Sequence, residues 1–341
     1  MNRKVFLTAL KYLASLGFAF GILYFLFRNQ DPLKLIEEIQ KVDVKWVILS
    51  MFFGGCAIVN RGLRWIVLID ALGYKSSKKN AVSAVAVLYF TNLFIPRGGE
   101  ITRCTSLNQV EKIPVDKLFG TILIERIIDF IFLFALIFLT IILKFNALLN
   151  FYIAVQSQQT ESPGNKNLIL TLIIISSLAI GFILLKKWLK KSSLYEKILS
   201  FIEGLKEGFN SVKKIKKKST FWFHTFSIWI MYFLMTYICF FSMAETSHMT
   251  FGDGIFLLVL GGIGMVIPTP GGIGSYHAIV MIGLSVLGIG TISFGASGDT
   301  SNPALLFPTI IHAGQTLMAI IMGSIGLLIL FLSKKKTNVT S

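Results

Sequence analysis

Cysteine and histidine are scarce in this sequence, with three and four residues among 341. Cys56 and Cys239 sit inside apolar runs, and the three thiols, odd in number, have no metal-ligand spacing. A disulfide framework and a metal centre are therefore not expected, and no histidine spacing resembles a zinc site. No Gly-x4-Gly-Lys-[Ser/Thr] run is present, which argues against ATP hydrolysis by this chain. The stretch Gly271-Gly272-Ile273-Gly274 lacks the βαβ surroundings of a dinucleotide fingerprint. Neither a cofactor nor a catalytic residue set is expected. Acidic residues are also few, 17 against 33 Lys and Arg, for a net charge of +16. In a soluble chain that balance would suggest nucleic acid. Here the basic residues lie mostly between apolar runs, so membrane topology and anionic lipid account for them and no nucleic-acid partner is expected.

Apolar residues make up 54% of the chain, in runs of about 20, the length that crosses ~30 Å of hydrocarbon. The fold class that follows is an all-α polytopic membrane protein. Six full transmembrane helices are expected near 5–27, 46–63, 117–143, 167–185, 220–243 and 303–332, with two interrupted segments at 80–110 and 251–291. The run from Val5 to Phe27, after Arg3 and Lys4, is too long for a signal-peptide core and reads as a retained span. Trp46, Trp188 and Trp222 fit an interfacial aromatic belt.

Loop charge sets the orientation. The 186–218 connection holds eleven lysines and reads as a basic cytoplasmic loop, as do the 61–79 loop (Arg61, Arg64, Lys75, Lys78, Lys79) and the tail Lys334–Lys336. The 244–250 and 292–302 connections have no Lys or Arg, and 144–166 has only Lys144 and Lys166, so these lie outside. Parity then requires 80–110 to enter and leave from the cytoplasm, as a re-entrant hairpin or as two crowded spans. The segment 251–291 enters and leaves from outside, as a hairpin or two short spans. Both termini fall in the cytoplasm. The single transmembrane domain 1–341 divides into halves 1–150 and 160–341, each reading span, span, broken hairpin, span. Each half crosses an odd number of times, so the two form an inverted repeat.

The interruptions are chemically specific. The first runs Asn92-Leu-Phe-Ile-Pro96-Arg97-Gly98-Gly99-Glu100-Ile-Thr-Arg103, the second Pro268-Thr-Pro270-Gly271-Gly272-Ile-Gly274. Proline lacks the N–H and glycine lacks backbone restraint, so a helix breaks at each. At bilayer depth the freed backbone groups need protein partners or a wet cavity. Paired breaks in corresponding parts of two halves point to a transporter substrate site. The competing reading is that both are ordinary surface loops.

Charge within the apolar runs is the second signal. Glu125, Arg126 and Asp129 lie ~12–18 Å along a helix beginning near Lys117. Such groups face a bundle interior or water. Glu125 and Asp129 share a face and need a cation, for which Arg97 and Arg103 are candidates. With Glu100 and Arg126 the set has three charges of each sign. Its arginines suit bidentate contact with carboxylate or with a lipid phosphate. The cluster either only locks the hairpin in place or also receives a headgroup. In the second half His277 follows the break, while His312 and Gln315 share a face of the last span. Either histidine suits packing or proton coupling.

These three motifs in order, the first break, Glu125-Arg126-x-x-Asp129 and the second break, resemble the lysylphosphatidylglycerol synthase transmembrane-region family over nearly the whole chain. The resemblance implies a lipid-translocating fold in a bacterial or archaeal inner membrane, with membrane phospholipids as partners. An acidic residue often follows the second Gly-rich turn in that family, where this chain has His277. The sequence ends nine residues past Leu332 without the synthases' soluble domain, so aminoacylation is not implied. The expected function is a flippase or transporter of a polar-headgroup lipid, with Asn92, Arg97, Glu100, Arg103, Glu125, Arg126, Asp129, Pro270, Gly271, Gly272, Gly274, His277, His312 and Gln315 around its substrate. The alternative is a lipid-modifying membrane enzyme with Glu100 or Asp129 as general base. A homo-oligomer and a separate lipid-synthesis partner are both compatible with either.

Overall fold

Short polar caps set the helix boundaries. Asp31 accepts the Leu33 amide and is followed by Pro32 at the first helical position, which needs no N–H partner. Asp43 accepts the Lys45 amide, and Thr250 and Asp253 close a reciprocal capping box. Lys112, left-handed at φ 58°, ends a helix two residues before Pro114.

The computed structural model describes residues 3–28, 30–158, 215–292 and 302–339. Ten α-helices appear among the described residues, and no strand: α1 (Arg3–Phe27), α2 (Pro32–Lys41), α3 (Val44–Ala71), α4 (Lys78–Phe94), α5 (Gly99–Glu111), α6 (Val115–Gln158), α7 (Lys218–Cys239), α8 (Phe251–Val266), α9 (Ser275–Val286) and α10 (Pro303–Val339). The chain divides into one unit of Met1–Phe145 with Ile215–Ser341 and another of Asn146–Lys214. Of the second unit only the end of α6 is described. The expected span 167–185 and the basic loop 186–218, apart from its last four residues, lie outside the described residues.

Four helical segments are long and apolar enough to cross a membrane: Val44–Ala71, Val115–Ala154, Lys218–Ser242 and Pro303–Lys335. Each overlaps one of the expected spans. The expected span 5–27 coincides with α1, whose residues Tyr12–Phe27 are long and apolar enough when taken together with α2, across an 87° bend. Helix α2 itself was not anticipated. Its ten residues bury none of their side chains and mix Leu33, Ile36 and Ile39 with four charges, a pattern hydropathy passes over.

The expected boundary of the second span is corrected. Helix α3 runs on to Ala71, so Arg61 and Arg64 are helical and buried, not loop charges. Trp65, Val67, Leu68 and Ile69 around them are equally buried, and the charges that neutralise Arg64 come from α6. The core that carries this segment joins Ile58, Trp65 and Ile69 of α3 to Ala84 and Val85 of α4, Leu107 of α5 and Leu118 of α6. Small residues let these helices approach closely; a Cβ on Gly62 would lie 2.6 Å from Val82 Cα.

Both interrupted segments are helix pairs folded back on themselves. At the open end of the first, the Ser77 amide and Asn80 Nδ2 donate to Glu111 Oε1 at 3.0 and 2.7 Å, tying the start of α4 to the end of α5. At its other end Gly99 lies against Leu88 and Asn92. In the second pair Tyr276, at the start of α9, meets Gly261 and Gly264 late in α8, while Gly283 meets Phe256 and Leu257. With 17, 13, 16 and 12 residues, these four helices measure roughly 18–26 Å, each short of ~30 Å of hydrocarbon.

Candidate functional site

The charged residues of α3, α5 and α6 close into a ring. Arg64 grips Asp129 with two parallel hydrogen bonds of 2.7 and 3.2 Å, and its Nε lies 3.5 Å from Glu125. Arg103 donates to Glu125 from Nη2 and lies 3.2 Å from Glu100 through Nε. Arg126 completes the circuit, 3.6 Å from Glu100 and 3.2 Å from Asp129. Each guanidinium thus touches two carboxylates and each carboxylate two guanidiniums. Arg64, Arg103 and Glu125 have no exposed side-chain surface, whereas Arg126 is 45% exposed. The Arg103 guanidinium also stacks over Trp65, 4.5 Å from the ring centre.

The balance of three against three was legible, but one member differs. Arg64 occupies the place expected of Arg97. Arg97 is exposed, left-handed at φ 61°, and donates from Nη2 to the carbonyl of Val266 at 2.9 Å. That bond ties the first break to the end of α8, where a helix leaves carbonyls without intrahelical partners. Arg103, expected to be available for a phosphate, is committed to two carboxylates.

The second break meets the first directly. Gly271, Gly272 and Gly274 all have positive φ (59°, 80° and 82°), which only glycine adopts at no steric cost. A Cβ on Gly271 would stand 3.5 Å from Leu93 Cα. Pro268 O accepts from Ser15 Oγ of α1, and Thr269 and Ser275 share a hydroxyl hydrogen bond of 2.8 Å across the turn. His312 Nε2 donates to Gly271 O at 2.8 Å, which fixes the turn to α10. His277 stands edge-on to His312 with ring centres 4.9 Å apart. Pro270, Gly272 and Gly274 therefore shape the turn.

A pocket of about 170 Å³ opens where the two breaks meet. Asn92 and Leu93 line it from the first hairpin, Met265 and Gly271 from the second, and His312, Gln315 and Thr316 from α10. Four methionines (Met51, Met235, Met265 and Met318) supply a soft apolar wall, and among the described residues no Asp or Glu lines the pocket. Tyr89 and Tyr232 complete the lining, their hydroxyls 2.8 Å apart. Behind them, Arg61 Nη1 donates to Tyr89 at 2.7 Å and reaches Tyr232 at 3.5 Å.

Of the fourteen expected residues, Asn92, Gly271, His312 and Gln315 thus gather at the pocket. Glu100, Arg103, Glu125, Arg126 and Asp129 form the ring. Arg61, Arg64, Tyr89 and Tyr232 were not anticipated. Their signal is Asn60-Arg61-x-x-Arg64-Trp65, two arginines one helical turn apart directly after an apolar run. Distance from the Pro/Gly motifs hid it.

The model of the lysylphosphatidylglycerol synthase transmembrane region matches residues 12–298. The chain belongs to that family. Its relatives include a UPF0104 membrane protein of Methanocaldococcus jannaschii, 25% identical over 306 residues that cover 84% of this chain and 87% of the relative. A UPF0104 membrane protein of Methanothermobacter thermautotrophicus is 22% identical over 291 residues, 76% of this chain and 80% of that protein. No solved structure matches. Family membership and the apolar helices together make this a membrane protein.

Proposed function

We propose that this family member moves a polar-headgroup lipid, an anionic phospholipid by chemical fit, across the inner membrane through the pocket between its two hairpins. The observation that carries the reading is the placement of that pocket. It lies where two Pro/Gly breaks touch, and its lining combines polar groups with a methionine-rich wall. Interrupted helices meeting at such a site are the build of secondary transporters. In this reading 80–110 and 251–291 are re-entrant, the halves 1–150 and 160–341 are inverted, and both termini are cytoplasmic. The charge ring is then a lock that holds the first hairpin against α3 and α6. The alternative of a lipid-modifying enzyme loses support from the same geometry. Glu100 and Asp129, its candidate bases, are each held between two guanidiniums and do not line the pocket.

A blockade applied after folding tests the route. Cys104 and Cys239 are buried, so a Cys56→Ser, Thr316→Cys variant carries one reactive thiol, and it faces the pocket. In vesicles containing fluorescent phosphatidylglycerol, the unmodified variant is expected to translocate label. Reaction with a bulky thiol reagent is expected to stop it. Undiminished translocation after complete labelling would exclude the pocket as the path.

A further inference from the structure

Arg61 differs in kind from the other buried arginines. It is 6% exposed, yet among the described residues no carboxylate lies within ion-pair distance of it. Among the described residues its Nε and Nη2 have no hydrogen-bond partner, and its Nη1 is met by two hydroxyls alone. Glu125 and Asp129 attract it only from beyond ion-pair distance, Arg64 repels it as a like charge, and the ring as a whole is neutral. A buried cation so weakly compensated is costly unless something supplies negative charge.

Counting protons shows where that charge would be met. Tyr89 and Tyr232 hold two hydroxyl protons between them, and the bond joining the two oxygens uses one. Arg61 donates toward both oxygens and accepts nothing. One hydroxyl proton is therefore left over, on a pair of side chains that line the pocket. Among the described residues no carboxylate lines the pocket to compete for it, and a donor backed by a guanidinium is a strong one.

We propose that Arg61, Tyr89 and Tyr232 form an anion receptor in which the guanidinium backs two hydroxyls and the spare proton is donated to a phosphate oxygen in the pocket. The inference rests on the lipid-transport reading and narrows its substrate to lipids with an anionic phosphate. A headgroup that offered only a cation would meet the wrong sign. The methionine wall accommodates whatever apolar group adjoins the phosphate, so the receptor selects the headgroup and leaves the chains unselected.

The test uses the full chain in detergent micelles. Retention of phosphatidylglycerol is compared with that of diacylglycerol of the same chains, with inorganic phosphate as competitor. The wild-type protein is expected to prefer phosphatidylglycerol by about tenfold or more, the scale of one charge-assisted hydrogen bond. The Tyr89→Phe/Tyr232→Phe variant keeps both rings and the packing. It is expected to lose most of that preference while holding diacylglycerol unchanged. Arg61→Gln is expected to lose it as well, but the double phenylalanine variant decides if that protein fails to fold. An undiminished preference in the double variant overturns the receptor. Displacement of lipid by inorganic phosphate at comparable concentration upholds the receptor chemistry but makes the occupant a free anion, which overturns the lipid reading alone.

Discussion

Replacing Glu125 by glutamine is expected to destabilise the protein by about 3–5 kcal/mol, the cost of leaving a buried charge without its partner. Glutamine matches glutamate in shape, so packing against the surrounding helices survives. What is lost is the bridge between Arg64 and Arg103, both of which have no exposed side-chain surface. Each would keep one carboxylate, Asp129 and Glu100 respectively, and the ring would acquire one uncompensated positive charge. Thermal unfolding in detergent reads the loss. A further Arg103→Met substitution, which restores neutrality, is expected to recover part of it. The exposed pair Lys41–Glu38 serves as the contrast, since Glu38→Gln there should leave the unfolding temperature unchanged. Equal small effects at both sites would mean that water reaches Glu125.

Substituting valine for Gly99 is expected to damage stability and transport together. A Cβ at this position would stand 2.9 Å from the Leu88 carbonyl carbon and 2.8 Å from Asn92 Oδ1, and the backbone atom cannot turn aside. Asn92 Oδ1 also accepts the Gly99 amide at 2.9 Å, the bond that closes the first break. Relief requires α5 to move away from α4. That motion carries Glu100 and Arg103 out of the ring and shifts Asn92 and Leu93 away from the second break. Overpacking costs about 1–3 kcal/mol in ordinary cores, and the disturbed ion pairs add to it. The variant should unfold at lower temperature and fail to translocate fluorescent phosphatidylglycerol. Gly120, inside α6 where an added Cβ meets nothing within 4 Å, is the control: Gly120→Ala should lower neither. A Gly99→Val protein with wild-type stability would show that the hairpin is not closed as described.

The two breaks were legible because proline and glycine act locally. Pro96 and Gly98–Gly99 interrupt a helix wherever the chain goes, and Gly271, Gly272 and Gly274 supply the three positive φ angles of the second turn. The carboxylates of the ring were legible too, since Glu125 and Asp129 stand out in a long apolar run. Their partners were not. Arg64 and Arg61 lie at the end of the expected second span, where basic residues usually mark a loop. Only the continuation of α3 to Ala71 brings them inside. Arg97, adjacent to the break, was expected in the cluster, yet it holds a backbone carbonyl 169 residues away.

Membrane class and helix interruption were determined by the sequence alone, because each depends on the composition or backbone chemistry of a few neighbouring residues. Which arginine met which carboxylate, and which buried arginine among the described residues was left without one, was decided by tertiary structure. Those pairings join residues as far apart as Arg64 and Asp129, 65 positions along the chain. A side chain's charge is written in its own identity, but its compensation depends on which helices pack beside it.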